Sequence, residues 1–119
     1  MTKPIVIYKP RSLIVLPFPF TDRLATKKRP ALVIQQEIFQ ADHGHLIVLM
    51  ITTAKRTQWL TDVEIVNWQS SGLPAPSVVR QKLFTLEEGL VIKQLGYLSE
   101  QDWNAVQFCW NSSIAFNKP

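Results

Sequence analysis

Apolar residues in this chain come in short runs rich in Val, Ile and Leu, separated by prolines, glycines or clusters of polar residues. The runs cover residues 13–16, 29–34, 46–51, 63–65, 77–80, 82–85 and 90–98. Short β-branched segments bounded by turn residues are typical of strands. The pattern predicts a mainly β fold, a small and partly open β-barrel, formed by a single domain over residues 1–119.

Proline and glycine set the expected limits of these strands. Proline has no N–H to donate, so we expect the first strand to end before Pro17 and the second to begin at Pro30. Residues 42–45, Asp-His-Gly-His, have the chemistry of a hairpin turn, which would make the second and third strands antiparallel neighbours. Gly96 indicates a bulge or a close approach in the last strand.

A helix is predicted to follow the last strand. Ser99 is a good N-cap, and acidic Glu100 and Asp102 complement the helix dipole, so the helix should cover about residues 100–114. One apolar stripe consists of Trp103, Val106, Trp110 and Ile114, and a second of Ala105, Cys109 and Phe116. Packing against the barrel explains the first stripe, and the second makes dimerisation a reasonable hypothesis.

Composition excludes several classes of protein. Of the 119 residues, 46% are hydrophobic and 18% charged, which is ordinary for a globular protein. The longest apolar runs are too short to cross a bilayer, and no signal peptide is recognisable, so we expect a cytoplasmic protein without membrane association. Cys109 is the only cysteine, which excludes an intrachain disulfide and a thiolate metal cluster.

Positive charge is concentrated in the first half of the chain. Residues 1–58 contain nine Lys or Arg and three Asp or Glu, a net charge of +6, whereas the remainder has four and six, a net charge of −2. Such an asymmetry suits a polyanionic partner, although a role in solubility alone gives the same pattern.

Four motifs occur in a fixed order along the chain. They are Pro17-Phe18-Pro19-Phe20-Thr21-Asp22, Lys28-Arg29-Pro30-Ala31-Leu32-Val33, Gly72-Leu73-Pro74-Ala75-Pro76-Ser77-Val78-Val79-Arg80 and Lys82-Leu83-Phe84-Thr85-Leu86. In order and separation they resemble the signature of the PemK/MazF family, the toxins of type II toxin-antitoxin systems. Residues 96–100, before the final helix, are similar to the usual ending of that family.

The resemblance implies a fold and an activity that composition and spacing did not reveal. The implied fold is an Src-homology-3-like barrel with a C-terminal helix, assembled as a homodimer. The implied activity is that of a growth-inhibiting endoribonuclease, which cuts single-stranded RNA or mRNA with no metal or other cofactor. The implied partners are single-stranded RNA and a cognate antitoxin.

Three residues are candidates for catalysis through this resemblance. Arg29 matches an arginine at the start of the family's second strand, and its guanidinium can bind two phosphate oxygens at once. Thr52 follows the third strand, where related toxins carry a hydroxyl that contacts the reacting phosphate, and Thr53 is the alternative. Arg80 matches the arginine of the family's Ser-Val-Val-Arg motif.

The chain departs from the family directly after Arg80. Some members carry an aspartate there that acts with the arginine, but here Gln81 is followed at once by Lys82. A neutral glutamine cannot serve as a general base. Asp22 is one candidate for that role, although an aspartate after a proline tract is more often part of a turn.

Two basic loops are predicted to bind RNA. The residues concerned are Lys27, Lys28, Thr53, Lys55, Arg56 and Trp59. The cations would contact the backbone and Trp59 would stack on a base, whereas a solvated basic rim is the structural alternative. His43 and His45 suggest acid–base chemistry or metal binding, but exposed turn residues explain them as well, and we predict no metal site.

The missing aspartate leaves a second function open. A degenerate toxin would retain the fold as a binding module, and CcdB-like toxins share the barrel but poison DNA gyrase. The motifs resemble the PemK side of the superfamily more closely, and the basic half suits a nucleic acid.

Overall fold

The computed structural model of the protein describes residues 5–18, 27–53 and 58–116. Within them the elements are β1 Ser12–Phe18, β2 Lys27–Val33, α1 Glu37–His43, β3 His45–Thr52, β4 Val63–Glu64, β5 Val78–Glu87, a 3-10 turn Glu88–Leu90, β6 Lys93–Tyr97 and α2 Glu100–Ser113. The strands form one antiparallel sheet in the order β4-β5-β3-β2-β1-β6. The sheet curls into a half-barrel with a C-terminal helix, which confirms the predicted fold class.

Two prolines lie inside strands rather than at their ends. We expected the first strand to end before Pro17, but β1 continues past it, so that prediction was wrong. The reason is that β6 pairs only with residues 12–15 of β1, which leaves Pro17 with β2 as its one neighbour. Pro30 likewise lies within β2 but before its ladder with β3, which covers residues 31–33. Neither proline therefore interrupts a strand that is paired on both sides.

The predicted hairpin at residues 42–45 is replaced by a short helix. α1 occupies residues 37–43, and Gly44 follows it in the left-handed conformation with φ 78°. The Gly44 N–H donates to the carbonyl oxygen of Gln40 at 2.7 Å, a bond that ends the helix. β2 and β3 are nevertheless antiparallel neighbours, as predicted.

Apolar side chains pack in two clusters. The first consists of Leu13, Leu32, Leu49, Ile51, Ile65, Leu73, Val79, Leu98 and Val106. The second consists of Ile14, Leu16, Ala31, Val33, Leu46, Val48 and Leu86. Because successive side chains of a strand point to opposite faces, neighbouring residues of β1 and β2 divide between the two clusters. The sheet thus buries apolar side chains on both faces.

α2 covers the first of these clusters. The Ser99 hydroxyl accepts a hydrogen bond from the Asp102 N–H at 3.1 Å, which confirms the predicted N-cap. Val106 is buried, and Trp103 and Trp110 pack half-buried beside it. The first apolar stripe therefore serves the core, as predicted.

The second stripe of α2 has mixed surroundings. The Cys109 thiol donates to the carbonyl oxygen of Thr61 at 3.2 Å, which ties the helix to the segment before β4. Phe116 and neighbouring Phe108 are exposed, with 94% and 76% of their surface accessible. Dimerisation through the second stripe stays a prediction.

Two glycines allow β6 to lie close to the turn between β4 and β5. A Cβ atom on Gly96, in β6, would lie 2.7 Å from the carbonyl oxygen of Ser71, and one on Gly72 would lie 2.6 Å from that of Leu95. The register between β1 and β6 also shifts next to Gly96. The predicted bulge or close approach at Gly96 is confirmed, because both occur there.

Candidate active site

The ends of β2 and β3 form a pocket of about 360 Å³ that contains two of the three predicted catalytic residues. Its lining residues are Lys27, Lys28, Arg29, Pro30, Ile51, Thr52, Thr53, Pro74, Ala75 and Ser77. The turn before β5, which includes three residues of the third motif, closes one side. We call this the phosphate pocket, because its polar groups are three cations and three hydroxyls.

Strand register explains why Arg29 and Thr52 meet. Ala31 pairs with Met50 in the ladder between β2 and β3. Arg29 and Thr52 each lie two residues beyond this last pair, and residues two apart on a strand share a face. The sheet thus brings together a guanidinium and a hydroxyl that are far apart in the sequence.

Arg29 carries a polar atom that nothing in the described structure satisfies. Its Nε is buried and has no hydrogen-bond partner. A buried donor without a partner is costly, and most such groups in proteins are paired. The neighbouring Lys27 and Lys28 are exposed cations. An anion in the phosphate pocket would pair with the Arg29 guanidinium and neutralise the local charge.

Arg80 lies on the same face of the sheet but outside the phosphate pocket. It pairs with Met50 in the β3–β5 ladder, while Val78 pairs with Thr52. Its side chain is held by Asp62: Nε donates to Oδ1 at 3.0 Å and a terminal nitrogen donates to Oδ2 at 2.9 Å. Both side chains are nearly buried. The structure therefore brings together Arg29 and Thr52, with Arg80 one row away in an ion pair.

Asp62 is a residue near the site that sequence reasoning missed. The hydrogen bond from Arg80 lowers the pKa of Asp62, and this effect outweighs the desolvation that would raise it. The same hydrogen bond raises the pKa of Arg80. A carboxylate with a lowered pKa is a weak proton acceptor. No local signal marks Asp62 in the sequence, because its partner is 18 residues away.

Trp59 packs beside this ion pair. The guanidinium carbon of Arg80 lies 4.9 Å from the centre of the Trp59 ring, and the Lys82 Nζ lies 5.6 Å from it. The backbone N–H of Trp59 donates to Oδ2 of Asp62 at 2.9 Å. A second pocket, of about 530 Å³, is lined by Gln58, Trp59, Leu60, Asp62, Glu64 and Val78. We call it the tryptophan pocket.

The ladder between β3 and β5 is irregular directly after Arg80, where the chain departs from the family pattern. Leu49 pairs with Leu83, and the next residue, Met50, pairs with Arg80, so Gln81 and Lys82 have no partner on β3. The Gln81 side-chain amide instead donates to the Ser113 hydroxyl at the end of α2. Bulges are common beside active sites because they redirect side chains. Here the bulge lets Gln81 contact α2 instead of continuing the β3 ladder.

Other predicted residues lie elsewhere. Lys55 and Arg56 fall outside the described residues, as does Asp22. His43 and His45 are adjacent at the junction of α1 and β3, with their Nδ1 atoms 3.2 Å apart, and neither lines the phosphate pocket. In the parts of the chain that the structure describes, no group of three or more His, Cys, Asp or Glu is placed to hold a metal ion.

The sequence and the fold were then compared with known proteins. Residues 9–112 match the family described as PemK-like, MazF-like toxins of type II toxin-antitoxin systems. The chain belongs to this family. The match covers every residue that was assigned to the phosphate pocket and the tryptophan pocket. A search of curated proteins with the sequence gave no match.

Solved MazF structures have the same fold. An endoribonuclease in complex with its cognate antitoxin, from a mycobacterial species, superposes with a TM-score of 0.75 at 15% identity, covering 94% of this chain and 99% of that one. Mycobacterium tuberculosis toxin MazF-mt6 gives a TM-score of 0.72 at 23% identity, over 91% and 100% of the two chains. MazE-MazF from Deinococcus radiodurans gives 0.75 at 17% identity, over 94% and 99%.

These similarities extend over the whole toxin domain but are low in sequence. At such identities the solved structures establish the fold, while the family match establishes membership of the toxin family. Among the described residues of this family member, no helix has the length and apolar character needed to cross a membrane.

Proposed function

We propose that this toxin is an endoribonuclease that cuts single-stranded RNA, including mRNA, and inhibits growth in the cytoplasm until an antitoxin binds it. One observation carries the proposal: Arg29, whose Nε is buried without a partner, lines a cationic pocket together with Thr52. Membership of the toxin family supports it, and one of the structural neighbours is itself named an endoribonuclease.

The proposed reaction uses the RNA's own 2′-hydroxyl as the nucleophile. Its oxygen forms a bond to the adjacent phosphorus, and the bond from phosphorus to the 5′-oxygen of the next nucleotide breaks. The products are a 2′,3′-cyclic phosphate and a 5′-hydroxyl. The proton lost by the 2′-hydroxyl is balanced by the proton that the leaving oxygen gains, so the reaction consumes no oxidant, reductant or other reactant.

Arg29 and Thr52 would act on the phosphate in this reaction. Negative charge on the non-bridging oxygens increases as the pentavalent intermediate forms. A guanidinium whose Nε is already shielded from water binds that charge more strongly than a solvated one. The Thr52 hydroxyl would donate to a second oxygen. Their role is therefore to stabilise the charge that develops in the transition state.

Removal of the 2′-hydroxyl proton requires a further group. Asp62 is a poor candidate, because Arg80 occupies its oxygens and lowers its pKa. Asp22 stays a candidate that lies outside the described residues. Arg80 remains in the proposed site as a cation one row away from the phosphate pocket, with Asp62 in the place of the missing aspartate as its partner.

RNA binding would follow from the cations around the phosphate pocket. Lys27, Lys28 and Lys82 are exposed in the described structure. We include Lys55 and Arg56 on their sequence alone. The hydroxyl of exposed Thr53 lines the same pocket and would contact the backbone. Backbone contacts of this kind position a strand without reading its sequence.

Two protein partners complete the proposal. A cognate antitoxin would cover the basic pocket with an acidic segment that folds on binding, and a structural neighbour was solved with its cognate antitoxin. A homodimer would cover exposed apolar side chains such as Phe108. Both rest on the family assignment and on the charge and apolarity of the described surface.

The decisive experiment is incubation of purified protein with a long single-stranded RNA in EDTA. We expect cleavage by the wild type and a large loss of cleavage by Arg29→Ala. Lys93→Ala is the matched control, because it removes an exposed cation from β6 that does not line the phosphate pocket. Intact RNA at high enzyme excess would instead favour a binding module, and inhibition of gyrase supercoiling would then be measured.

A further inference from the structure

The tryptophan pocket has the features of a site for one nucleobase. Trp59 is 39% exposed, so part of the residue is accessible to a ligand. Arg80 and Lys82 lie over its ring at cation–π distances of 4.9 and 5.6 Å. Aromatic side chains that are held in place bind unstacked bases of single-stranded RNA by stacking. A ring that is ordered before binding loses little entropy when a base stacks on it.

This pocket adjoins the phosphate pocket across one ladder of the sheet. Ser77 and Thr52 line the phosphate pocket, and Val78 lines the tryptophan pocket. Thr52 and Val78 are direct partners in the ladder between β3 and β5. Neighbouring strands lie about 4.8 Å apart, so the two pockets meet between β3 and β5, with Arg29 one strand further away on β2. We expect a nucleotide whose phosphate lies at Arg29 to place its neighbour's base towards Trp59.

The polar groups of the tryptophan pocket determine which base fits. Asp62 and Glu64 both line it, and an ionised carboxylate only accepts hydrogen bonds. The Asp62 oxygens already accept from Arg80 and from the Trp59 N–H. Glu64 is exposed, and its carboxylate makes no hydrogen bond or ion pair with the described residues. Glu64 is therefore the acceptor that is available to a ligand.

Base edges differ in how they match a lone carboxylate. Guanine presents two adjacent N–H donors on its Watson–Crick edge, which fit both carboxylate oxygens. Adenine and cytosine present one amino donor beside an acceptor, and uracil presents one N–H between two carbonyl oxygens, which repel a carboxylate. The expected order of preference is guanine, then adenine and cytosine, then uracil.

Glu64 is a carboxylate in a site that is proposed to bind a polyanion, so its presence requires an explanation. Glu64 repels phosphates, and removing that charge would strengthen non-specific RNA binding. Charges on edge strands such as β4 protect against strand pairing between molecules, which is the structural alternative for Glu64. The alternative accounts for a charge but predicts no preference among bases.

We propose that the tryptophan pocket is the subsite that gives this toxin its base preference, with Trp59 as the stacking surface and Glu64 reading the N–H donors of guanine. This inference rests on the proposed function for its substrate class. It adds a specificity-determining residue, Glu64, that plays no part in bond breaking.

The test is binding of short RNAs that cannot be cleaved. A uridine-rich 2′-O-methyl hexamer carries one variable base, which is guanine, inosine, adenine or uracil, and binding is followed by fluorescence anisotropy. Wild type should bind the guanine strand about tenfold more tightly than the uracil strand. Inosine lacks the 2-amino donor and should lie between them. Glu64→Gln should reduce the guanine advantage to less than about threefold.

Two further variants make the result interpretable. Glu87→Gln removes an exposed carboxylate from β5 at the opposite end of that strand, and it should keep the wild-type preference. Trp59→Phe, which retains an aromatic ring and the backbone N–H to Asp62, should weaken all four strands alike. Melting temperatures of every variant show whether it is folded.

The outcomes separate this inference from the proposed function. Cleavage of RNA without any guanine preference, or a preference that Glu64→Gln leaves unchanged, overturns the inference while the ribonuclease stands. Guanine-selective binding that depends on Glu64, in a protein that cuts no RNA, supports the subsite and overturns the proposed activity.

Discussion

Arg80 and Asp62 form an ion pair with two hydrogen bonds, of 3.0 and 2.9 Å, between strand β5 and the segment that precedes β4. The sequence lacks the aspartate that the family resemblance places just after this arginine. The fold supplies a carboxylate to Arg80 from 18 residues upstream instead. The pair fixes the arginine beside Trp59 and ties the edge of the sheet to its neighbour.

The ion pair makes stability depend on pH in a defined direction. The pKa of Asp62 is lower in the folded protein than its unfolded value of about 4. The stabilisation that the ionised Asp62 gives to the fold is therefore present above pH 4 and is lost as pH falls through the folded pKa of Asp62. Asp62→Asn should lower the free energy of unfolding by about 1–3 kcal/mol at pH 7, because it leaves Arg80 without its anionic partner.

Urea unfolding from pH 7 to pH 2.5 measures this effect. The difference between wild type and Asp62→Asn should be constant above about pH 5 and shrink below pH 4. Glu87→Gln, which changes an exposed carboxylate, is the control and should change stability little. A difference that stays constant down to the lowest pH would contradict the assignment of the lowered pKa to this pair.

The Thr52 hydroxyl is predicted to contribute to cleavage through one hydrogen bond to a charged oxygen. Thr52→Val keeps the shape of the side chain and should lower kcat/KM for RNA by about 10- to 100-fold, the value of a charge-assisted hydrogen bond. Thr52→Ser should retain most of the activity. Thr53→Val tests the alternative hydroxyl, and a larger loss there than at Thr52 would show that Thr53 is the catalytic hydroxyl.

Lys27 and Lys28 are predicted to bind RNA through its phosphates alone. For a single strand each such contact contributes about 0.7 to the slope of log affinity against log salt concentration. The double variant Lys27→Ala, Lys28→Ala should therefore reduce the magnitude of the slope by about 1.4, equally for all sequences. Lys93→Ala should leave it unchanged. An unaltered slope in the double variant would show that these lysines do not contact RNA phosphates.

Gly96 is predicted to be required for the close contact between β6 and the turn at Ser71. Gly96→Ala would place a Cβ atom 2.7 Å from the Ser71 carbonyl oxygen, so backbone must move, at a cost of about 1–3 kcal/mol. Gly89→Ala is the matched control, because a Cβ atom added there would have nothing within 4 Å. Thermal unfolding of the two variants tests this prediction. Equal melting temperatures would mean that the backbone at Ser71 moves away from the added methyl group without loss of stability.

Features that depend on local chemistry could be predicted from the sequence. Alternating and β-branched runs marked the strands, and Ser99 with its acidic neighbours marked the start of α2. α1 could not be predicted, because its N-cap residue makes no side-chain hydrogen bond. Long-range contacts hold it: the buried Gln40 amide donates to the carbonyl oxygen of Val6 at 2.7 Å and to Glu88 at 2.9 Å.

Some residues of the candidate site could likewise be identified from the sequence, and others depend on long-range contacts. Arg29 and Thr52 were identified by resemblance, and strand register then accounts for their meeting in one pocket. Asp62 and Glu64 could not be assigned from sequence, since their significance depends on which strand lies beside β5. Pairing across a sheet is decided by the whole fold, so a residue-by-residue pattern does not contain it.

The most direct test of the account is cleavage of two synthetic RNAs that differ in one atom. One carries a single mapped cut site, and the other has 2′-deoxyribose at the nucleotide before the scissile phosphate. If the RNA's own 2′-hydroxyl attacks the phosphate held by Arg29, the first strand is cut to a 2′,3′-cyclic phosphate in EDTA and the second stays intact. Cleavage of the deoxy strand at the same site would contradict the account.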